Sequence, residues 1–98
     1  MAIDTITATS SGIIFAGPCL IHSILEGGTD GSNDVTVTVY DNPSAASGNE
    51  LIPTHVIDAS ALGLNGVALY KSKEAKTGVY VEITTAGTAK IVFDIGQP

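Results

Sequence analysis

The amino-acid sequence predicts an all-β fold, an antiparallel β-sandwich or jelly roll of about seven to eight strands. Three observations predict it. Apolar residues recur with period two and almost never with period 3.6. Clusters of Gly, Pro, Asn and Asp break the chain at intervals of about ten residues, the spacing of short strands in sandwiches and jelly rolls. The intervals are filled with Val, Ile and Thr, whose stiff β-branched side chains suit a pleated surface.

The elements follow in order. "DTITATSS" (residues 4–11) alternates Thr5, Thr7 and Thr9 against Ile6 and Ala8. "GIIFAG" (12–17) is a short apolar run ended by Gly17-Pro18. "CLIHSILE" (19–26) places Cys19, Ile21, Ser23 and Leu25 on one face and Leu20, His22, Ile24 and Glu26 on the other. Apolar groups on both faces mark a central strand. "GGTDGSND" (27–34) is a glycine-rich turn. "VTVTVYD" (35–41) points Val35, Val37 and Val39 inward and Thr36, Thr38 and Tyr40 outward. "NPSAASGNE" (42–50) is a loop. "LIPTHVIDA" (51–59) is a strand whose Pro53 lacks a ladder donor, which marks an edge or a bulge. "SALGLNG" (60–66) reads as a bend or one short helical turn.

"VALYKS" (67–72) is a strand and "KEAKTG" (73–78) a polar turn. "VYVEITT" (79–85) sets Val79, Val81 and Ile83 against Tyr80, Glu82 and Thr84. "AGT" makes a tight hairpin into "AKIVFDI" (89–95), with Ile91, Phe93 and Ile95 on one face. The predicted core is Ile21, Leu25, Val35, Val37, Val39, Val81, Ile83, Ile91 and Phe93. Residues 1–10 form an N-terminal arm or an added strand, and residues 11–98 a single sandwich domain.

Composition narrows the functional classes. A chain of 98 residues buries roughly 60–65% of its unfolded surface, so its core is modest and association would strengthen it. Charged residues are 14%, against the roughly 25% usual for soluble domains; either part of the surface is covered by a partner, or the exterior is simply rich in threonine. The net charge is −6, with four lysines (Lys71, Lys73, Lys76, Lys90) and no arginine. That balance opposes binding to nucleic acid or to an anionic membrane. The single cysteine, Cys19, leaves no intrachain disulfide. The N-terminus has no basic region followed by an apolar run, and no stretch approaches the roughly 20 apolar residues of a membrane helix. Synthesis and folding in the cytoplasm are expected.

Catalytic groups are sparse. Nucleophilic catalysis needs a nucleophile, a base and an orienting group. His22 and His55 are the only histidines; Ser23 and Ser60 lie near in sequence, but neighbours in a strand face opposite ways. Cys19 sits in an apolar run with no basic neighbour and reads as an inert buried thiol. The acids Asp4, Glu26, Asp34, Asp41, Asp58 and Asp94 are scattered at strand ends. Asp30, Ser32 and Asp34 in "DGSND" have a spacing that suits oxygen ligands around Ca²⁺. The glycine and glutamate of an EF-hand loop are missing, however, and a hairpin with local side-chain–backbone bonds is the preferred reading. No enzyme and no cofactor are expected.

The stretch "AGPCLIHSILEGGTDGSNDVTVTVYDNPSAASGNEL" resembles small structural proteins of tailed bacteriophages, in which an "AGPC"-like turn leads to a strand, a Gly-rich hairpin, a "VTVYD"-type strand and a variable loop. "TGVYVEITTAGTAKIVFDI" is similar to their closing hairpin. The resemblance covers residues 10–95 and rests on β-hairpin patterns. It implies a virion component, a capsid decoration (cement) protein that binds the major capsid protein on the outer shell as a homotrimer. Contacts to the shell are then expected from Ala2, Ile3, Asp4 and Thr5 and from Asp41, Asn42, Pro43 and Ser44. A tail, fibre or head-tail module is the alternative within the virion. A small carbohydrate-binding sandwich is the alternative outside it, though three tyrosines, two phenylalanines and no tryptophan give it a thin aromatic platform. A fibre or adhesin module would ride on a longer chain, whereas this sequence runs from Met1 to "IGQP".

Overall fold

A computed structural model of the chain describes residues 3–27, 32–59 and 68–96. They form eight strands: β1 (Ile3–Ala8), β2 (Gly12–Phe15), β3 (Cys19–Gly27), β4 (Val35–Tyr40), β5 (Glu50–Ile57), β6 (Ala68–Ala75), β7 (Val79–Thr84) and β8 (Lys90–Gly96). Two four-stranded sheets result, ordered β1-β8-β3-β6 and β2-β7-β4-β5, and every pairing is antiparallel.

The strand order follows from one long hairpin. Folding the chain back at residues 41–49 pairs β4 with β5, β3 with β6, β2 with β7 and β1 with β8. Rolling that hairpin brings β8 against β3 and β7 against β4, which closes two sheets over one core. This is a jelly roll. Of the links between consecutive strands, only the one between β4 and β5 stays within a sheet. The "AGT" segment is therefore no tight hairpin; it carries the chain from one sheet to the other. The link containing "GGTDGSND" likewise joins opposite sheets. β6 continues to Ala75, so Lys73–Ala75 belong to a strand rather than a turn. The segment "SALGLNG" lies outside the described residues.

Alternation buries the expected faces. Val35, Val37 and Val39 of β4, Val79 and Val81 of β7, and Ile91, Phe93 and Ile95 of β8 meet in one cluster, with Phe93 its largest fully buried side chain. Ile83 is half-buried and packs on the cluster's rim. Pro53 sits on β5, an edge strand, where the pairing with β4 also shifts register between Val39 and Val37. Both fates open to a strand proline are thus met at once.

Strand β3 departs from simple alternation. It pairs with β8 through Ile21↔Ile95 and Ser23↔Asp94, so His22 is an extra residue without a counterpart. Such a bulge exchanges the two faces of the strand beyond it. Cys19 and Ile21 point inward before it, Ile24 and Glu26 after it. Leu25, expected in the core, is 41% exposed, while Ile24 is 1% exposed. The two residues offer a direct measurement of the bulge. Ile24→Ala should cost about 2–4 kcal/mol, the loss of a buried branched side chain plus its cavity. Leu25→Ala should cost below about 1 kcal/mol. Urea unfolding midpoints with unchanged slopes would show this order, and the reverse order would place the bulge elsewhere.

Candidate functional site

The links between strands gather at two ends. Residues 16–18, 41–49 and 76–78 lie at one end, because Phe15, Tyr40, Glu50, Ala75 and Val79 are the strand termini there. Ile3 pairs with Gly96 and Gly96 with Leu20, next to Cys19↔Ala75. The start of β1 therefore shares that end. Of the expected contact residues, Asp4 and Thr5 on β1 and Asp41, Asn42, Pro43 and Ser44 on the loop are brought to one end of the sandwich. They belong to different sheets: β1 is an edge strand of one, and the loop joins β4 to β5 in the other. Ala2 and the side chain of Ile3 lie outside the described residues. Residues 3–8 form an edge strand paired along its length with β8. Asp4 and Thr5 are exposed, and the Thr5 hydroxyl donates to Asp94 Oδ1 at 2.9 Å.

The loop of residues 41–49 is held by its first residue. Asp41 Oδ2 accepts from the Lys76 N–H at 3.0 Å, and Oδ1 accepts from the Thr77 N–H at 2.9 Å, the Thr77 hydroxyl at 2.9 Å and the Gly78 N–H at 3.3 Å. The Thr77 hydroxyl also lies 3.1 Å from the Asp41 carbonyl. Desolvation opposes ionisation of Asp41, but the backbone donors of Lys76 and Thr77, with the Thr77 hydroxyl and Gly78, outweigh it and hold the carboxyl below its ordinary value. Asn42 shapes the next residues. Its Oδ1 accepts from the N–H groups of Ser44 and Ala45, each at 2.9 Å, and its Nδ2 donates to the Ser47 carbonyl at 3.1 Å. Asp41 N–H donates to the Asn49 carbonyl at 2.8 Å, closing the loop's base, and Gly48 turns the chain with φ +90°. A Cβ on Gly78 would lie 2.6 Å from Pro43 Cα and 2.9 Å from the Phe15 carbonyl oxygen, so three links meet on a bare backbone. Asp41 and Asn42 thus act inside the loop. Pro43, Ser44, Ala45 and Ser47 form its exposed surface.

A second polar feature, unforeseen in the sequence, lies between the sheets. The bulge turns Glu26 inward, where it is 1% exposed. His55 pairs with Val37 on β4 and so faces the same interior. Its Nε2 sits 2.8 and 2.7 Å from the two Glu26 oxygens, and its Nδ1 2.8 Å from the Pro53 carbonyl. A carbonyl only accepts, so Nδ1 carries a proton. The Nε2 contact then needs one proton more, held as imidazolium against carboxylate or as neutral imidazole accepting from a carboxylic acid. Burial pushes the Glu26 carboxyl up, against the lowering pull of the His55 hydrogen bond and charge. Period-two reading put Glu26 outward, because no sequence signal marked His22 as the extra residue.

Most of the remaining chemical groups are held in local contacts, although His22 Nε2 is buried without a hydrogen-bond partner among the described residues. Cys19 is fully buried, and burial, then the Asp41 carboxylate, push its thiol up; it is not poised as a thiolate. The Ser23 hydroxyl donates to Asp94 Oδ2 at 2.8 Å, not to a histidine. Hydrogen bonds from Ser23 and then Thr5 hold the Asp94 carboxyl below its ordinary value. In the cation candidate, Asp30 lies outside the described residues, and Asp34 Oδ1 accepts from the Ala59 N–H at 3.1 Å. Among the described residues no group of three or more His, Cys, Asp or Glu side chains is placed to hold a metal ion, and no helix is long and apolar enough to cross a membrane.

No family model, curated protein or solved structure matches this chain.

Two measurements bear on these features. Gly78→Ala forces backbone against backbone and should cost about 1–3 kcal/mol, with faster proteolytic cleavage within residues 41–49; parental stability and cleavage would show that the loop is not seated on Gly78. Titration separates the carboxyls. The native state holds the Glu26 proton more tightly than the unfolded chain. Glu26 therefore stabilises the fold fully below its ordinary value of 4.5, and this is lost as pH rises through its raised native value. Asp41 has the opposite sign: its contribution is present above 3.8 and lost as pH falls through its lowered native value. Melting temperature against pH should flatten in the range just above 4.5 in Glu26→Gln and just below 3.8 in Asp41→Asn. Superimposable profiles would refute the assignment.

Proposed function

We propose that this chain is a capsid decoration protein of a tailed bacteriophage, seated as a homotrimer on the outer surface of the shell through the loop end of its sandwich. The observation that carries the reading is the loop of residues 41–49. It lies in the stretch that resembles phage structural proteins, it is fixed by Asp41, Asn42 and the Pro43–Gly78 contact, and it presents small exposed residues beside the end where β1 begins. A loop already ordered loses little entropy when it docks, which favours binding. Jelly rolls occur in viral and in sugar-binding proteins alike, so the fold supports the reading without selecting it. Three weak contacts from one trimer raise avidity by roughly 10²–10⁴.

Removing residues 2–10 is a poor test, because it strips β1 from β8 and bares a sheet edge. Two variants at exposed positions, the single change Asp4→Arg and the double change Ser44→Arg with Ala45→Arg, leave the hydrogen-bonded frame intact. Purified protein mixed with undecorated capsids should bind, and these variants should lose about tenfold or more in affinity at unchanged melting temperature, the equivalent of ~1.4 kcal/mol. Full occupancy by both variants would remove the loop end as the contact. Failure of the parent to bind capsids would leave the tail or fibre reading ahead. Sedimentation should give three times the 9.9-kDa chain mass; a single-chain mass at micromolar concentration ends the trimer.

A further inference from the structure

The outer face of the β2-β7-β4-β5 sheet carries a pattern that the loop end does not explain. Ile13 pairs with Tyr80, Tyr80 with Tyr40, and Tyr40 with Glu50. One row across all four strands thus holds an aliphatic residue, two adjacent tyrosines and an acid. Glu82 stands in the next row, opposite Thr38, and Val56 in the third, opposite Thr36. Ile13 and Val56 are 52% and 58% exposed, two of the three large hydrophobic residues most exposed among those described. The tyrosines are half-buried, and Glu50 and Glu82 are exposed.

Charge on the molecule is divided between the sheets. β2, β4, β5 and β7 contain no lysine or arginine. Lys71 and Lys73 lie in β6, Lys76 directly after it, and Lys90 in β8. The tyrosine face therefore has carboxylates and no cation of its own. Glu50 stands directly opposite Tyr40, and Glu82 lies diagonal to it, one row on along β7; partial desolvation and then these carboxylates push the Tyr40 phenol up. The middle of the face is already dry: Thr38 is 2% exposed, and its hydroxyl shares a 2.6 Å hydrogen bond with Thr54. A partner laid over it would leave the Thr38 hydroxyl with its partner.

We propose that this face docks an arginine-bearing segment of a partner protein, with guanidinium groups lying on the Tyr40 and Tyr80 rings and paired with Glu82 and Glu50. Guanidinium is planar, weakly hydrated and suited both to aromatic faces and to carboxylates. Ile13 and Val56 flank the row and cover the aliphatic part of such a segment. An isologous contact between two copies of this face would set acid against acid, which is unfavourable. Tyr40 adjoins Asp41, so the face is continuous with the loop end. The inference rests on the reading of the chain as a shell-binding protein, and it names the chemistry of the shell surface beside that loop.

The test needs no capsid in its first arm. Isotope-labelled protein is titrated with a nona-arginine peptide, a nona-lysine peptide and maltohexaose, at two salt concentrations, while amide resonances are followed. Arginine peptide should shift amides of β2, β4, β5 and β7 around Tyr40 and Tyr80, more tightly than lysine peptide, and less at high salt. The double variant Glu50→Gln, Glu82→Gln, at two exposed positions, should lose about tenfold in affinity, the yield of two exposed ion pairs. Shifts scattered over the molecule, equal binding of both peptides, or a response of this face only to maltohexaose would overturn the proposal. So would shifts at this face on raising protein concentration alone, which would assign it to the lysines of a second copy. In the second arm the same variant meets undecorated capsids. Parental capsid binding by the variant would refute the face while leaving the decoration function standing. A localised peptide response in a protein that ignores capsids would refute the function while leaving the face standing.

Discussion

One extra residue in β3 determines what the interior contains. Because His22 has no counterpart on β8, the strand turns over within its length, and two different faces of it reach the core in succession. Cys19 and Ile21 fill the loop end; Ile24 and Glu26 fill the other. Without the bulge the second half would present Ser23 and Leu25, and the inward His55 would have no Glu26 carboxylate facing it. A buried carboxyl group is tolerated only where a partner satisfies it and offsets its lost hydration. The bulge and the Glu26–His55 pair therefore belong together: the first places the acid, the second makes the placement bearable. The pair also links β3 in one sheet with β5, an edge strand of the other.

At the opposite end the organising group is again a carboxylate, but an outlying one. Asp41 collects donors from three successive residues of the link after β6, and Gly78 lets Pro43 lie directly on that link. The result is a loop of nine residues, 41–49, with no regular structure and little freedom. Ser11 and Ile83 provide a smaller version at the other end, with the Ser11 hydroxyl accepting from the Ile83 N–H at 2.8 Å. In both cases a short polar side chain satisfies backbone groups where the ladders stop, as buried or half-buried backbone requires.

Much of this architecture could be read from the sequence, and the failures have a common cause. Val35, Val37 and Val39, or Ile91, Phe93 and Ile95, announce their faces because alternation is a local property. Pro53 announced an edge or bulge for the same reason. Leu25 was misplaced because a bulge has no fixed residue signature, and one inserted position inverts everything after it. "AGT" looked like a hairpin because turn residues say where a strand stops, not which sheet receives the next one. The candidate site shows the same division. The small residues of the 41–49 loop were visible in the sequence, whereas its Lys76–Gly78 anchor is more than thirty residues away. The Ile13–Tyr80–Tyr40–Glu50 row was equally hidden, since it exists only once four separate strands are in register.

The nested pairing also has a kinetic side. The link of residues 41–49 closes the shortest loop, and each enclosing pair closes a longer one, up to the 89 positions that separate Thr5 from Asp94. Closing entropy grows only with the logarithm of loop length, so β1–β8 is little harder to form than β2–β7 once the inner pairs exist. Formed first, it would pay the whole entropy with nothing to pack against. A topology of this kind contains almost no local contacts to build on beyond β4–β5, which puts it among the folds that form in milliseconds to seconds, roughly, and not in microseconds. Until the outermost pair is made, β8 presents an open edge to every other chain being synthesised nearby. The strand that begins the sequence is therefore the one whose arrival covers β8 and moves the edge of that sheet outward.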